Sequence, residues 1–289
     1  MVSGVTSLDR DPAALVADIE ARARRVETPC GNGTIVWRIW GEGEPLVVSH
    51  GAQGAWSHWI RNVETLSADR MLIAVDLPGH GDSAMPETSD HRGNAKAIAT
   101  GLRAILGDRP ADLAGFSFGG VSFAHFAAWH PEQVRRLVLI GTGGLDTPLG
   151  EVLLGRVSGL EGEARKAAIK ANLLGLMLHH EDSADALAQH LLLVNARKAR
   201  FDRASELVLP DKLARILPEV RVPVDAIWGE FDRPHPAPEL QEAVIRRTHP
   251  EADFRVIDGA GHWAMYERPE AFDAALLAIL AKPPRAARV

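Results

Sequence analysis

Gly115-Phe116-Ser117-Phe118-Gly119 sets one hydroxyl between two glycines. An apolar run, Ala111 to Ala114, precedes it, and a helix-like run, Val121 to Trp129, follows. A serine at so sharp a strand-to-helix turn needs both glycines, because side chains there would strike the adjoining strand and helix. The first turn of the helix offers free amide N–H groups, which favour negative charge. The chemistry this predicts is nucleophilic attack by Ser117 on a carbonyl carbon, with the oxyanion held by backbone N–H groups. One of those groups is the N–H of Phe118.

A serine nucleophile needs a base, and the base needs an orienting group. The chain has 12 histidines, so a histidine alone says little. His262 stands apart because Gly259 and Gly261 free its loop to turn, just after the strand-like run Phe254 to Ile257. For the orienting acid, Asp232 lies in Gly229-Glu230-Phe231-Asp232-Arg233-Pro234, after the apolar run Val224 to Trp228. Glu230 in the same loop and Asp146, after Val134 to Ile140, are its rivals. A second oxyanion donor is expected from the glycine-rich loop His50-Gly51-Ala52-Gln53-Gly54, after the strand Pro45 to Ser49.

These loops must be held by strands alternating with helices, and the chain is written that way. Asp11-Pro12 starts a short helix carrying Leu15 and Ile19. Thr34 to Trp40 alternates, and Gly41-Glu-Gly-Glu44 is predicted to turn it back as an antiparallel hairpin. Met71 to Val75 reads as a buried strand and Asn94 to Leu106 as a helix. The alternation predicts an α/β fold with a mostly parallel sheet and helices on both faces. Between 141 and 218 no strand-like run appears; helices are predicted over Glu163 to Leu178 and Ala184 to Phe201. This reads as a helical cap inserted into a core of residues 1–140 and 219–289, with 1–30 as an accessory N-terminal segment. A cap above Ser117 would exclude water and line a pocket. Trp56, Phe116, Phe118 and Trp263 are the expected walls, Trp59 the aromatic assigned to plain packing.

Composition narrows the function. At 46% hydrophobic and 24% charged, the chain has ordinary globular values, and a net charge of −6 argues against nucleic acid or an anionic membrane as partner. Cys30 is the single cysteine, which excludes an internal disulfide and suits a reducing cytoplasm. The N-terminus has no apolar run for a secretory leader, and no stretch is long enough to span a bilayer. No Cys/His spacing suggests zinc, and no cofactor is implied. The adjacent His179 and His180 read as surface residues. A homodimer is compatible with this reading.

From about Thr34 to Leu280 the chain resembles the α/β-hydrolase superfamily. The resemblance rests on His50-Gly51, on Asp76-Leu-Pro-Gly-His-Gly-Asp-Ser83 and on the serine turn with its extra Gly120. Trp228-Gly-x-x-Asp232 and Gly261-His262 complete it. It implies the order serine, acid, histidine, hence Ser117 as nucleophile, Asp232 as orienting acid and His262 as general base and acid. In relatives with His-Gly after the early strand, the next residue donates its N–H to the oxyanion, which implies Ala52. The segment Asp76 to Ser83 is read as structural. Carboxylesterase-like relatives imply a small apolar or aromatic ester as substrate. A second group, the meta-cleavage-product hydrolases, cuts carbon–carbon bonds; Gly261-His-Trp-Ala-Met-Tyr-Glu267 and Trp228-Gly-Glu-Phe-Asp-Arg233 are similar to it. That group implies a cap arginine for a substrate carboxylate, for which Arg197 or Arg200 is the candidate, while the position nearest by counting holds His190. Haloperoxidase-like members rank third. A non-catalytic receptor of this fold typically lacks one triad member, whereas here all three candidate types are present.

Overall fold

The computed structural model describes residues 11–201 and 204–283. Among these, eight strands form one sheet: β1 (Arg24–Cys30), β2 (Gly33–Trp40), β3 (Glu44–Ser49), β4 (Arg70–Asp76), β5 (Ala111–Phe116), β6 (Val134–Ile140), β7 (Val224–Gly229) and β8 (Phe254–Ile257). Their order is β1-β2-β4-β3-β5-β6-β7-β8. β1 with β2 and β2 with β4 run antiparallel; every other pair is parallel.

The period of two in the central strands sends alternate side chains into two apolar layers. Val47, Ile73, Val75, Leu113, Leu137 and Leu139 face one layer, shared with the helices His91–Leu106 and Phe118–Trp129. Leu46, Val48, Leu72, Ala74, Phe116 and Ile140 face the other, shared with Trp59 and the helix Pro269–Leu280.

The hairpin lies elsewhere than predicted. β2 pairs with β1 around Gly31, whose φ is +54°, in the register Cys30 to Gly33. The Gly41–Glu44 turn instead feeds β3, which leaves the place beside β2 to β4 and settles between β4 and β5. The reason is burial: Pro45 to Ser49 is buried on both faces and belongs at the centre of a sheet. Residues 24–30, expected in an accessory segment, are an edge strand whose outward side chains are polar (Arg24, Arg25, Glu27), which hid them. The helix Pro12–Ala21 forms as expected, capped by the Asp11 carboxylate at the Ala14 N–H (2.9 Å). The first ten residues of the predicted segment lie outside the described residues.

Between β6 and β7 the chain is helical. Gly162–Asn172 does not run on to Leu178; it widens into a π turn over Leu173–Met177, closed by the Leu178 N–H on the Leu173 carbonyl (2.9 Å). Gly175 in that turn has room for no side chain, since a Cβ would lie 2.0 Å from the Leu153 carbonyl oxygen. A second helix, Ala186–Lys198, is capped by Asp185. Ile169, Leu173, Leu178, Ala188 and Leu191 join the same apolar layer as Trp263 and Tyr266, so these helices share the core of the main body. The end of this helical segment crosses over: Leu213, Ile216 and Leu217 pack in the other layer, with Phe123 and Phe126.

Candidate active site

The parallel strands end in one row. Ser49 pairs with Gly115, Phe116 with Ile140, Ile140 with Ile227, and Gly229 with Ile257. The five loops that carry the predicted chemistry therefore leave the same edge of the sheet, at its carboxyl ends. Ser117 sits at the tip of β5 with φ +51° and ψ −118°, a region that side-chain-bearing residues rarely occupy. Its N–H donates to the Ile140 carbonyl (2.8 Å), and its own carbonyl accepts from Gly120 (3.0 Å). A Cβ at Gly115 would lie 2.6 Å from the Cα of Gly120, and one at Gly119 2.3 Å from Ser49 Oγ. The glycines are thus a steric requirement of the turn.

His262 and Asp232 meet. The histidine Nδ1 lies 2.8 Å from Asp232 Oδ2, and both side chains are buried. The other carboxylate oxygen accepts the His235 N–H (3.0 Å). The pair lies against Gly141, where a Cβ would come within 2.9 Å of Asp232 Oδ2 and 3.1 Å of His262 Nδ1. Gly141 directly follows Ile140, the residue whose carbonyl holds Ser117. The His262 ring is 4.8 Å from that of Phe116, the residue before the serine. Ser117, Asp232 and His262 are therefore gathered at one end of β5, β6 and β7. The rival acids lie outside this group: Asp146 is exposed, and exposed Glu230 accepts the Gly259 N–H (2.8 Å).

The loop after β3 closes a tight turn, Gly54 N–H to Gly51 carbonyl (3.1 Å), with Gln53 at φ +56°. A Cβ at Gly51 would lie 3.1 Å from Ser117 Cβ, so this turn and the serine touch. His50 braces it: Nδ1–H donates to the Gly51 carbonyl (2.7 Å), and Nε2 accepts the Leu77 N–H (3.0 Å). Burial pushes His50 down to about 4, so it stays neutral in this role. Ala52, exposed on the turn, and Phe118, first residue of its helix, carry the two expected N–H donors. The Asp76–Ser83 segment braces the same turn from behind. Asp76 Oδ1 accepts the Trp56 N–H (2.7 Å), and Oδ2 accepts from Arg38 (2.8 Å) and the Asp82 N–H (3.0 Å).

The expected pocket residues separate. Phe116 is fully buried beneath His262, with its ring also 5.8 Å from His58. Trp263 is buried, stacks on Tyr266 at 4.1 Å and donates its Nε1–H to the His58 carbonyl (2.9 Å). Trp56 is buried against Trp40 (5.4 Å) with the Arg38 guanidinium over it (5.3 Å). Arg197 is exposed at the end of its helix. The inward residue there is Asn195, two positions back and about 200° round the helix. Arg200 donates to the Ser83 carbonyl.

Three polar residues near the site gave no signal in the sequence. His58 is buried between Trp263 (4.9 Å) and Phe116, with no hydrogen-bond partner at Nδ1. Burial, then the nearby His50, His262 and His80, hold it neutral, well below the usual histidine range. His235 stands 5.6 Å from the His262 ring and is pushed down to about 4 by burial. Asn195 shares a hydrogen bond with Ser57 (3.2 Å), joining the helix Ala186–Lys198 to the loop after β3. Only their spatial neighbours distinguish these residues. Among the described residues no cluster of three or more His, Cys, Asp or Glu side chains is arranged to hold a metal ion, and no helix is long and apolar enough to cross a membrane.

Known proteins are similar to this chain. A 2-hydroxy-6-oxononadienedioate/2-hydroxy-6-oxononatrienedioate hydrolase of Comamonas testosteroni is 30% identical over 271 residues, covering 83% of this chain and 89% of that protein. A dihydrolipoyllysine-residue acetyltransferase component of the acetoin cleaving system of Pseudomonas putida is also 30% identical, over 83% of this chain; the match spans only 64% of that protein. The crystal structure of an esterase from Rhodococcus sp. ECU1013 superposes with a TM-score of 0.74 at 25% identity, over 89% of this chain and 98% of that one. A family model described as the alpha/beta hydrolase family matches residues 46–275, from β3 through most of the last helix. Sheet order, serine turn, paired acid and histidine, and this match agree: the chain is an enzyme of the alpha/beta hydrolase family.

Proposed function

We propose that this enzyme is a serine hydrolase that cleaves the carboxylic ester of a small apolar or aromatic substrate through an acyl-enzyme. The observation that carries the reading is the buried 2.8 Å contact between His262 Nδ1 and Asp232 Oδ2, set against Gly141 beside Ser117. Asp232 keeps the proton on Nδ1 and leaves Nε2 as the free base. His262 takes the Ser117 proton as Oγ attacks the ester carbonyl carbon. The tetrahedral oxyanion is received by the N–H groups of Ala52 and Phe118. Collapse breaks the ester C–O bond, and His262 returns the proton to the leaving alcohol. Water then attacks the acyl-enzyme, with His262 as base, and the acid is released.

Residues 141–218 act in this reading as a cap, which their shared packing with Trp263 and Tyr266 supports. A cytoplasmic setting fits Cys30, which is buried and whose thiol burial pushes up to about 11. The second reading is carbon–carbon cleavage of a 2-hydroxy-6-oxo-dienoate, favoured by the names of several relatives near 30% identity. The ester is preferred because Arg197 is exposed and Arg200 is engaged with the Ser83 carbonyl, so neither arginine is held ready for a substrate carboxylate.

The test is Ser117→Ala, assayed on short p-nitrophenyl esters, with fluorophosphonate labelling of the parent. We expect turnover to fall by at least ~10³-fold and the label to map to Ser117. Turnover retained in the variant would refute the serine mechanism. On a panel holding esters beside a dienoate, a much higher kcat/KM for the dienoate would select the second reading.

A further inference from the structure

Glu267 is a buried carboxylate, 4% exposed, and among the described residues no ion pair neutralises it. It is satisfied by three backbone N–H groups instead. Gly261 donates to Oε2 (2.6 Å), His180 to Oε1 (2.6 Å), and His179 to both oxygens (3.0 and 3.1 Å). Gly261 precedes the proposed base in the chain. His179 and His180 belong to the insertion, at the exit of its π turn. One carboxylate therefore ties the loop that carries His262 to the segment that leaves the proposed cap.

Two further bonds lace the same segments. The Trp263 N–H donates to the Met177 carbonyl (2.8 Å), and His180 Nε2 lies 2.9 Å from the Gly259 carbonyl. The backbones are in contact: a Cβ at Gly261 would sit 2.8 Å from the His179 nitrogen. Bonds at Gly261 and Trp263 thus bracket His262. A buried charge is costly unless fully hydrogen-bonded, so a carboxylate in this position holds all its donors or none cheaply.

We propose that Glu267 is a positioning residue for His262 and the link through which displacement of the inserted segment reaches the imidazole. This rests on the reading of His262 as the general base. The carboxylate can serve Gly261 and His180 at once because both of its oxygens accept. An amide cannot: in either orientation of a glutamine, its NH₂ faces one of those N–H groups.

The experiment compares the full-length parent with Glu267→Gln and Glu267→Asp. For Glu267→Gln on p-nitrophenyl acetate we expect kcat to fall about tenfold or more, with KM changed less than about threefold, as for a misplaced base. Hydrogen exchange should rise together in peptides covering 177–180 and 259–263. Glu267→Asp, which keeps the charge on a shorter arm, should recover part of kcat. Unchanged kcat with only a lowered Tm would overturn the proposal, as would increased exchange in one segment alone. Should the glutamine variant not fold, the aspartate variant decides by the same two readouts. Turnover surviving Ser117→Ala would sink the site reading separately, because the exchange experiment does not depend on it.

Discussion

Asp232 is gripped from both sides, by the His262 ring at one oxygen and the His235 N–H at the other. An asparagine there can offer its NH₂ to Nδ1 only if the imidazole moves its proton to Nε2, which would remove the proposed base. Asp232→Asn should lower kcat by about 10²- to 10⁴-fold with little change in KM. Asp146→Asn, on an exposed loop, should stay within about twofold. Steady-state kinetics on one ester rank the two, and the reverse ranking would move the orienting acid to the loop after β6. The choice between Asp232 and Glu230 was open to sequence reading only by motif order. The structure separates them by burial: Glu230 is exposed and spends an oxygen on Gly259.

The strand-to-helix turn concentrates the cost of the site in a few backbone atoms. Ser117 holds φ +51°, and the chain accommodates it by bringing Gly115 and Gly120 close enough that no Cβ fits between them. Gly115→Ala would set a methyl 2.6 Å from the Gly120 Cα, with backbone on both sides and no flexible side chain to yield. We expect a loss of about 2–4 kcal/mol, read as a lower urea midpoint at unchanged slope. Gly107→Ala is the control. It has a positive φ (+63°), which Gly115 does not, but no atom lies within 4 Å of the added Cβ, so only about 1 kcal/mol should be lost. A loss at Gly115 no larger than that at Gly107 would mean that the close approach does not dictate glycine at the turn.

The molecule as a whole buries neutral histidines. Burial pushes His50, His91 and His235 down to about 4 and His80 to about 3, while a histidine in the unfolded chain titrates near 6.5. Below about pH 6.5 the unfolded chain therefore takes up protons that the folded chain refuses. The stability these groups contribute is complete above that pH and is lost as pH falls toward 4. Asp273 acts in the opposite sense. Burial raises it to about 7, so its contribution is present at low pH and lost as pH rises through 7. One carboxyl does not offset four histidines, and the net trend is loss on acidification. Thermal melts should show Tm dropping by roughly 5–10 °C between pH 7.5 and 5.5. A Tm that is flat or rising over that interval would show that these imidazoles are protonated in the fold.

What the amino-acid sequence determined alone was everything that depends on neighbours along the chain. Glycines forced by a turn marked Ser117, Gly51 and Gly261. Apolar runs with period two or near 3.6 marked the central strands and most helices, hence the parallel sheet and the order of its loops. Tertiary structure decided whatever depends on residues far apart in the chain. Edge strand β1 was illegible because its exposed side chains are polar, and only its pairing with β2 makes it a strand. Arg197 and Trp56 were chosen by type, and only the fold shows that one is exposed at a helix end and the other lies against Trp40. Glu267, 88 positions from His179, had no local mark. A buried carboxylate is chosen by the donors that surround it, and those come together only when the sheet has set its loops side by side.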